Sequence, residues 1–174
     1  MNDNKKEKLS QEFLEAYDNF SDAIFRHCAF RVWERERARD ITQETFLKTW
    51  EYLAKGNTIV NIRAFLYRVA NNLIIDDARK RKPILSLELL AEEGFDLAGT
   101  GDKDIERAVT IRDLMGTLKT LPEEYRTILI MRYSDDLTPK EIGKILGKTE
   151  NTISVRIHRA IKKIKTIRDT TEEV

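Results

Sequence analysis

Two pairs of adjacent residues carry side chains that enzymes commonly use. His27-Cys28 sets an imidazole beside a thiol, and Asp76-Asp77 sets two carboxylates side by side. Nucleophilic or general acid–base chemistry would need each pair to converge on one point. Neighbours on a helix diverge by about 100°, so neither pair converges, and both read as ordinary helix residues. Two His and one Cys at no ligand spacing argue against a metal site. No catalytic residue and no cofactor is therefore expected. The stretch whose residue types and spacing do suggest chemistry is Thr138 to Lys165, TPKEIGKILGKTENTISVRIHRAIKKIK, and that chemistry is recognition of nucleic acid.

Thr138-Pro139-Lys140-Glu141 is a capping box: the Thr hydroxyl accepts a backbone N–H, and the Glu three residues on reaches back. Ile142, Ile145 and Leu146 form one apolar face. Gly147 suits the left-handed residue that ends a helix, and Thr149 caps the next one. A short helix, a tight Gly-containing turn and a second capped helix make a helix-turn-helix. In the second helix, Ile153, Ile157, Ala160, Ile161 and Ile164 fall on one side at 100° per residue. Asn151, Val155, His158, Arg159 and Lys162 fall opposite, with Ser154 and Arg156 on the flanks and Thr152 near Arg159.

Such an outer face suits a major groove. The N-terminal residues of a recognition helix reach base edges. Arg bonds guanine in a bidentate way, Asn does so with adenine, and a small apolar group such as Val155 touches a thymine methyl. Lys148, Lys162, Lys163, Lys165 and Arg168 would meet phosphates. The alternative from spacing alone is a helical hairpin with a solvated basic face.

The elements that must hold this unit are helical as well. The chain has 174 residues, 41% apolar and 35% charged, with only seven Gly and three Pro. It is rich in Leu, Ile, Lys, Glu and Arg, which favours an all-α protein. One cysteine rules out an internal disulfide framework and suits a reducing cytoplasm. No apolar run follows the polar N-terminus, so no signal peptide is expected. No run approaches bilayer length, so no membrane insertion is expected either.

The net charge of +1 hides a partition: +3 over residues 1–82, −6 over 83–124 and +4 over 125–174. Helices are predicted from Leu9 to Trp33, from about Glu36 to Leu53, and from about Asn61 to Lys82, with a break at Lys55-Gly56-Asn57-Thr58. Residues 83–103 read as an acidic connector with one Pro and three Gly. A helix from Asp104 to about Leu118 follows, then a break at Leu121-Pro122 and a helix to about Tyr133, Pro suiting its first turn.

Three motifs in order carry a family resemblance over nearly the whole chain. They are Asp40-Ile41-Thr42-Gln43-Glu44-Thr45-Phe46-Leu47-Lys48-Thr49-Trp50; Phe65 to Asp76, FLYRVANNLIID; and Leu121 to Arg126 with Met131-Arg132-Tyr133, Leu137 to Gly143 and Arg156 to Ala160. Together they resemble bacterial extracytoplasmic-function sigma factors. The resemblance implies an all-α fold of two small helical domains joined by a flexible acidic linker, the C-terminal one a helix-turn-helix. The expected boundaries are 1–82, 83–103 and 104–174.

The implied function is to bind core RNA polymerase and direct promoter-specific initiation in the cytoplasm. The first domain would read and melt the −10 element, and the second would read the −35 element. An anti-sigma factor is a further candidate partner.

The resemblance also distributes roles among residues. Asp40, Gln43, Glu44 and Leu47 share one side of the second helix. By spacing this is either a solvated acidic face or a docking surface, and the resemblance favours docking on the polymerase. Asn57 and Thr58, in the loop before the third helix, would capture a flipped base of the −10 element. Arg63, Tyr67, Arg68, Asn71 and Arg79, with Asn72 and Asp76 on another edge, interleave cations and an aromatic as single-strand binding requires. The −35 element would be met by Lys148, Asn151, Thr152, Ser154, Val155, Arg156, His158, Arg159 and Lys162. Phe65 stands where the family typically has Trp, while Asn151 and Ser154-Val155 depart from its common recognition-helix residues. The rival function is a helix-turn-helix repressor or adaptor that binds duplex DNA without engaging core polymerase. It would need no Asp40/Gln43/Glu44 surface and would normally be dimeric.

Overall fold

The computed structural model describes residues 3–81 and 116–172, and every regular element among them is helical. With no Gly or Pro to interrupt it, the first segment winds as α1 (Asp3–Val32), starting earlier than the predicted Leu9. Trp33, at φ 59°, breaks the chain sharply into α2 (Arg35–Ala54). Gly56, at φ 85°, provides the left-handed residue beyond α2. The Asn61 side chain accepts from the Ala64 N–H and starts α3 (Ile62–Lys80).

Residues 116–120 are helical and precede α4 (Glu123–Leu129), which runs into a π-helical turn, Ile130–Ser134. The helix-turn-helix is α5 (Pro139–Leu146) and α6 (Glu150–Glu172). The predicted connector 83–103, most of the predicted helix 104–118, and the Arg168 side chain lie outside the described residues.

Helices α1 to α3 pack as a three-helix block. Ile24, Cys28, Ala38, Ile41, Phe46, Leu66, Ala70 and Ile74 are buried in it. Each fully buried Ile, Leu or Phe side chain among them contributes about 1.5–3 kcal/mol. Thr42, Thr45 and Thr49 line the inner face of α2 without unmet donors, because their hydroxyls donate to the carbonyls of Ala38, Ile41 and Thr45 at 2.7, 2.7 and 2.8 Å. At the end of α3, the buried carboxylate of Asp77 accepts from Arg37 Nε at 2.7 Å and also pairs with Arg81.

The second block does not stand apart. Ile128, Met131, Leu137, Ile142, Ile145 and Ile153 join the same continuous core, with α5 against α3 and the π-turn against α1. A smaller core of Leu121, Leu129 and Ala160, bordered by Tyr125, Ile161 and Ile164, seats α6 on α4.

Candidate nucleic-acid and protein interfaces

The helix-turn-helix forms as its sequence predicts. The Thr138 side chain accepts from the Glu141 N–H, while the Glu141 carboxylate accepts from the Thr138 N–H at 2.8 Å and from its hydroxyl at 2.7 Å. These bonds, chiefly the backbone one, hold the Glu141 carboxyl below its ordinary value. Gly147 sits at φ 65°, and Thr149 caps α6 by accepting from the Thr152 N–H at 3.2 Å. The turn is tight because Gly143 lies under it. The Lys148 N–H donates to the Gly143 carbonyl at 2.8 Å, and a Cβ at Gly143 would stand 2.6 Å from the Lys148 carbonyl oxygen.

On α6, Ile153 and Ala160 are buried and Ile157, Ile161 and Ile164 are half-buried. Lys148, Asn151, Ser154, Val155, His158, Arg159 and Lys162 are all exposed, Val155 at 41%. Two residues assigned to DNA are occupied instead. The Arg156 guanidinium makes a close ion pair with Glu124 of α4, and the Thr152 hydroxyl bonds that of Thr149 at 2.8 Å. Arg156 thus braces α6 on α4.

On α2, Asp40, Gln43, Glu44 and Leu47 are exposed, Leu47 at 55%. They adjoin a feature that periodicity did not isolate. Phe13, Leu14 and Tyr17 of α1, with Phe46, Leu47 and Trp50 of α2, line an open groove of about 470 Å³, edged by Gln43. Edge-to-face rings build its floor: Phe13 to Trp50 at 5.1 Å and Tyr17 to Phe46 at 4.8 Å. Leu14 and Tyr17 stay half open to solvent. Their signal in the sequence was an apolar stripe on α1 wider than one neighbouring helix can cover.

Helix α3 departs most from expectation. Leu66, Tyr67, Ala70, Asn71, Ile74 and Asp77 are buried, and at 100° per residue they span one broad arc of about 140°. Tyr67, expected to face DNA, is 1% exposed, its ring edge-on to His27 at 5.2 Å, and burial raises its pKa. Asn71, also expected at DNA, is buried and accepts from Arg31 at 3.1 Å. Arg63 donates to the backbone carbonyl of Asp135 at 2.6 Å. Tyr67 and Asn71 are thus taken up by His27 and Arg31 of α1, and Arg63 by the second block, rather than left for nucleic acid.

Asn57, Thr58, Arg68, Asn72, Asp76 and Arg79 remain exposed. Among them lies a stacked group. Tyr52 is 38% exposed and stacks on Phe65 at 4.9 Å, with Arg68 over the Phe65 ring at 5.3 Å. The Asn57 amide donates to the Tyr52 carbonyl at 2.9 Å and ties the loop to this platform.

Sequence reasoning also passed over the residues between the blocks. Ile130–Ser134 widens to a π-turn, with the Asp135 N–H donating to the Ile130 carbonyl at 3.1 Å. This turns the Asp135 carboxylate inward, where it accepts from His27 Nδ1 at 2.7 Å. Arg31 donates to Glu123 at 3.2 Å, and burial lowers its pKa against the effect of that carboxylate. Lys119 and Arg126 lie over the Trp33 ring at 4.8 and 6.0 Å. Cys28, next to His27, is fully enclosed. Desolvation pushes its thiol up to about 12, so it is no nucleophile. Asp77 is buried while Asp76 points to solvent, so those carboxylates do not converge either.

A three-helix block with an open apolar groove, followed by a capped helix-turn-helix with a basic outer face, defines a modular helical DNA-recognition protein. Residues 16–84 match the family description "Sigma-70 region 2", and residues 111–164 match "Sigma-70, region 4". The ECF RNA polymerase sigma factor SigW of Bacillus subtilis (strain 168) is 32% identical over 167 residues, which span 90% of this chain and 89% of that one. RNA polymerase sigma factor SigV of the same organism is 27% identical over 91% and 92% of the two chains. Among solved structures, the sigma factor RpoE in complex with the anti-sigma factor NepR from Bartonella quintana shares the fold. Its TM-score is 0.72 at 19% identity, covering 91% of this chain and 98% of that one. CnrH, in complex with the cytosolic domain of CnrY, gives 0.69 at 18%, covering 92% and 90%. The chain belongs to the extracytoplasmic-function family of RNA polymerase sigma factors.

Proposed function

We propose that this chain binds core RNA polymerase and directs promoter-specific initiation in the cytoplasm, without catalysis of its own. Residues 1–82 serve the −10 element and residues 104–174 the −35 element. The observation that carries this reading is the coexistence of two surfaces. One is the exposed α6 face of Asn151, Val155, Arg159 and Lys162. The other is an apolar groove on α1 and α2 beside exposed Asp40, Gln43, Glu44 and Leu47. A repressor that only binds duplex DNA has no use for the second.

In the proposed arrangement the polymerase covers Leu47, Leu14 and Tyr17, and the carboxylates on α2 meet its cations. Asn57, Thr58 and the Tyr52–Phe65–Arg68 platform hold unstacked −10 bases, while the α6 face enters the −35 major groove. No described helix is long and apolar enough to cross a membrane, which fits a partner in the cytoplasm. RpoE, which shares the fold and was solved with the anti-sigma factor NepR, supports an anti-sigma factor as a further partner here.

The test is run-off transcription with reconstituted core enzyme, on promoter fragments selected by the holoenzyme. Wild type is expected to initiate at discrete sites. Leu47→Asp is expected to weaken core binding by roughly 10- to 150-fold, the factor equivalent to failing to bury one Leu. The pair Asp40→Lys and Glu44→Lys is expected to slow association, most at low salt. Core enzyme that ignores the wild-type chain refutes the reading.

A further inference from the structure

Arg156 puts a cation on the recognition helix but does not share its outward face. At 100° per residue it lies about 140° round α6 from Asn151 and about 100° from Val155. Asn151, Val155, Arg159 and Lys162 are exposed, whereas the Arg156 side chain is 27% exposed and its Nη1 pairs closely with Oε1 of Glu124. Glu124 belongs to α4, a helix that carries none of the residues assigned to DNA. We propose that this pair is a positioning brace for −35 recognition: Arg156 reads no base itself, and with Glu124 it fixes how far α6 is rotated about its own axis. The proposal rests on the −35 reading of α6 given above.

The seat of α6 on α4 explains why a brace is needed. It is small and apolar, with Leu121, Leu129 and Ala160 buried in it and Tyr125, Ile161 and Ile164 at its border. Apolar attraction has no direction, and Ala160 offers its neighbours only a methyl group. A charge-assisted hydrogen bond does have direction. Arg156 stands between Ile153, buried in the main core, and Ala160, buried in the small one, so the pair acts where the helix passes from one seat to the other.

Small rotations matter at this site. Side-chain ends lie about 5–6 Å from a helix axis, so turning α6 by about 20° moves them by ~2 Å. A bidentate bond to a base does not survive such a shift, because its N–H···O distances fall within about 2.7–3.2 Å. Charge gives the opposite expectation and so makes the sign decisive. Glu124 adds a negative charge to a block that meets a polyanion, and electrostatics alone would favour its removal. A brace makes the same removal costly.

The test uses the full-length chain reconstituted with core enzyme. It measures binding to the promoter fragment selected by the holoenzyme and to the same fragment scrambled at its −35 element; the ratio of the two affinities is the −35 preference. Glu124→Gln and Arg156→Gln are each expected to lower that ratio by about 2- to 5-fold, as for a partly exposed ion pair. Affinity for the scrambled fragment and far-UV helicity should stay at wild-type values. The double variant is expected to lose no more than either single one, and the reversed pair, Glu124→Arg with Arg156→Glu, to recover most of the ratio. Direct contact of Arg156 with DNA predicts the opposite. Glu124→Gln would then free the guanidinium and hold or raise the preference, and the reversed pair would fall below both single variants. Either result overturns the brace, and so do additive losses. If a single variant loses helicity, the reversed pair decides, because it keeps the two groups paired. Lys162→Ala, measured across a salt series, tells the two levels apart. If it leaves the salt slope unchanged, the −35 reading fails and the brace with it; if the slope drops while Glu124→Gln costs nothing, the brace alone fails.

Discussion

Replacing Gly143 by Ala sets two physical effects against each other, and the structure decides which wins. In an exposed helix interior, Gly→Ala stabilises by about 1 kcal/mol, because Ala loses less backbone entropy. At Gly143 the new methyl would stand 2.6 Å from the Lys148 carbonyl oxygen, and at 3.5 Å from Thr149 C and Glu150 N. All three are backbone atoms of the turn, so no side chain can rotate away. The turn is also held by the Lys148 N–H to Gly143 carbonyl bond and by the Thr149 cap.

Overpacking of this kind costs about 1–3 kcal/mol, and rigid backbone neighbours argue for the upper end. The net expectation is a loss of about 2 kcal/mol. If both blocks melt as one unit through their shared core, that lowers Tm by roughly 4–8 °C for a chain of this length. The α6 face should also tilt, weakening binding to a −35 duplex. Differential scanning calorimetry and a duplex titration measure the two effects. A Gly143→Ala protein that melts at or above the wild-type temperature would refute the reasoning, because propensity would then have outweighed the crossing.

Two further outcomes follow from the helix-turn-helix. Lys148→Ala and Lys162→Ala should each lower the slope of log affinity against log salt by about one, with little change in sequence preference, whereas Val155→Ala should alter preference at one base and leave the slope alone; fluorescence anisotropy across a salt series separates these. Because the Thr138 bonds lower the Glu141 carboxyl below its ordinary 4.5, the capping box contributes stability that is fully present above pH 4.5 and is lost as pH falls through the folded-state value; Glu141→Gln should flatten that part of the acid-side Tm profile, and an unchanged profile would show that the carboxylate contributes nothing there.

The parts of the molecule that were legible share one property: their physics is local. The capping box, the left-handed Gly147, the Thr149 cap and the inward stripe from Ile153 to Ile164 all arise within a few residues. A period of 3.6 and the chemistry of caps and turns suffice to place them. The α2 face was legible for the same reason, since polar Asp40, Gln43 and Glu44 alternate with a buried set that repeats at helical spacing.

What was not legible depends on partners distant in sequence. Polarity assigns a helix one wet side and one dry side, but the dry side of α3 extends to Tyr67 and Asn71, whose polar groups suggested the wet one. Nothing near Tyr67 in sequence announces that His27 lies against it. Nothing near His27 announces Asp135, whose carboxylate turns inward through a single widened turn. Buried polar groups are the hardest to foresee because their burial is tolerable only once the partner is in place. An isolated α1 would carry His27 and Arg31 as solvated residues.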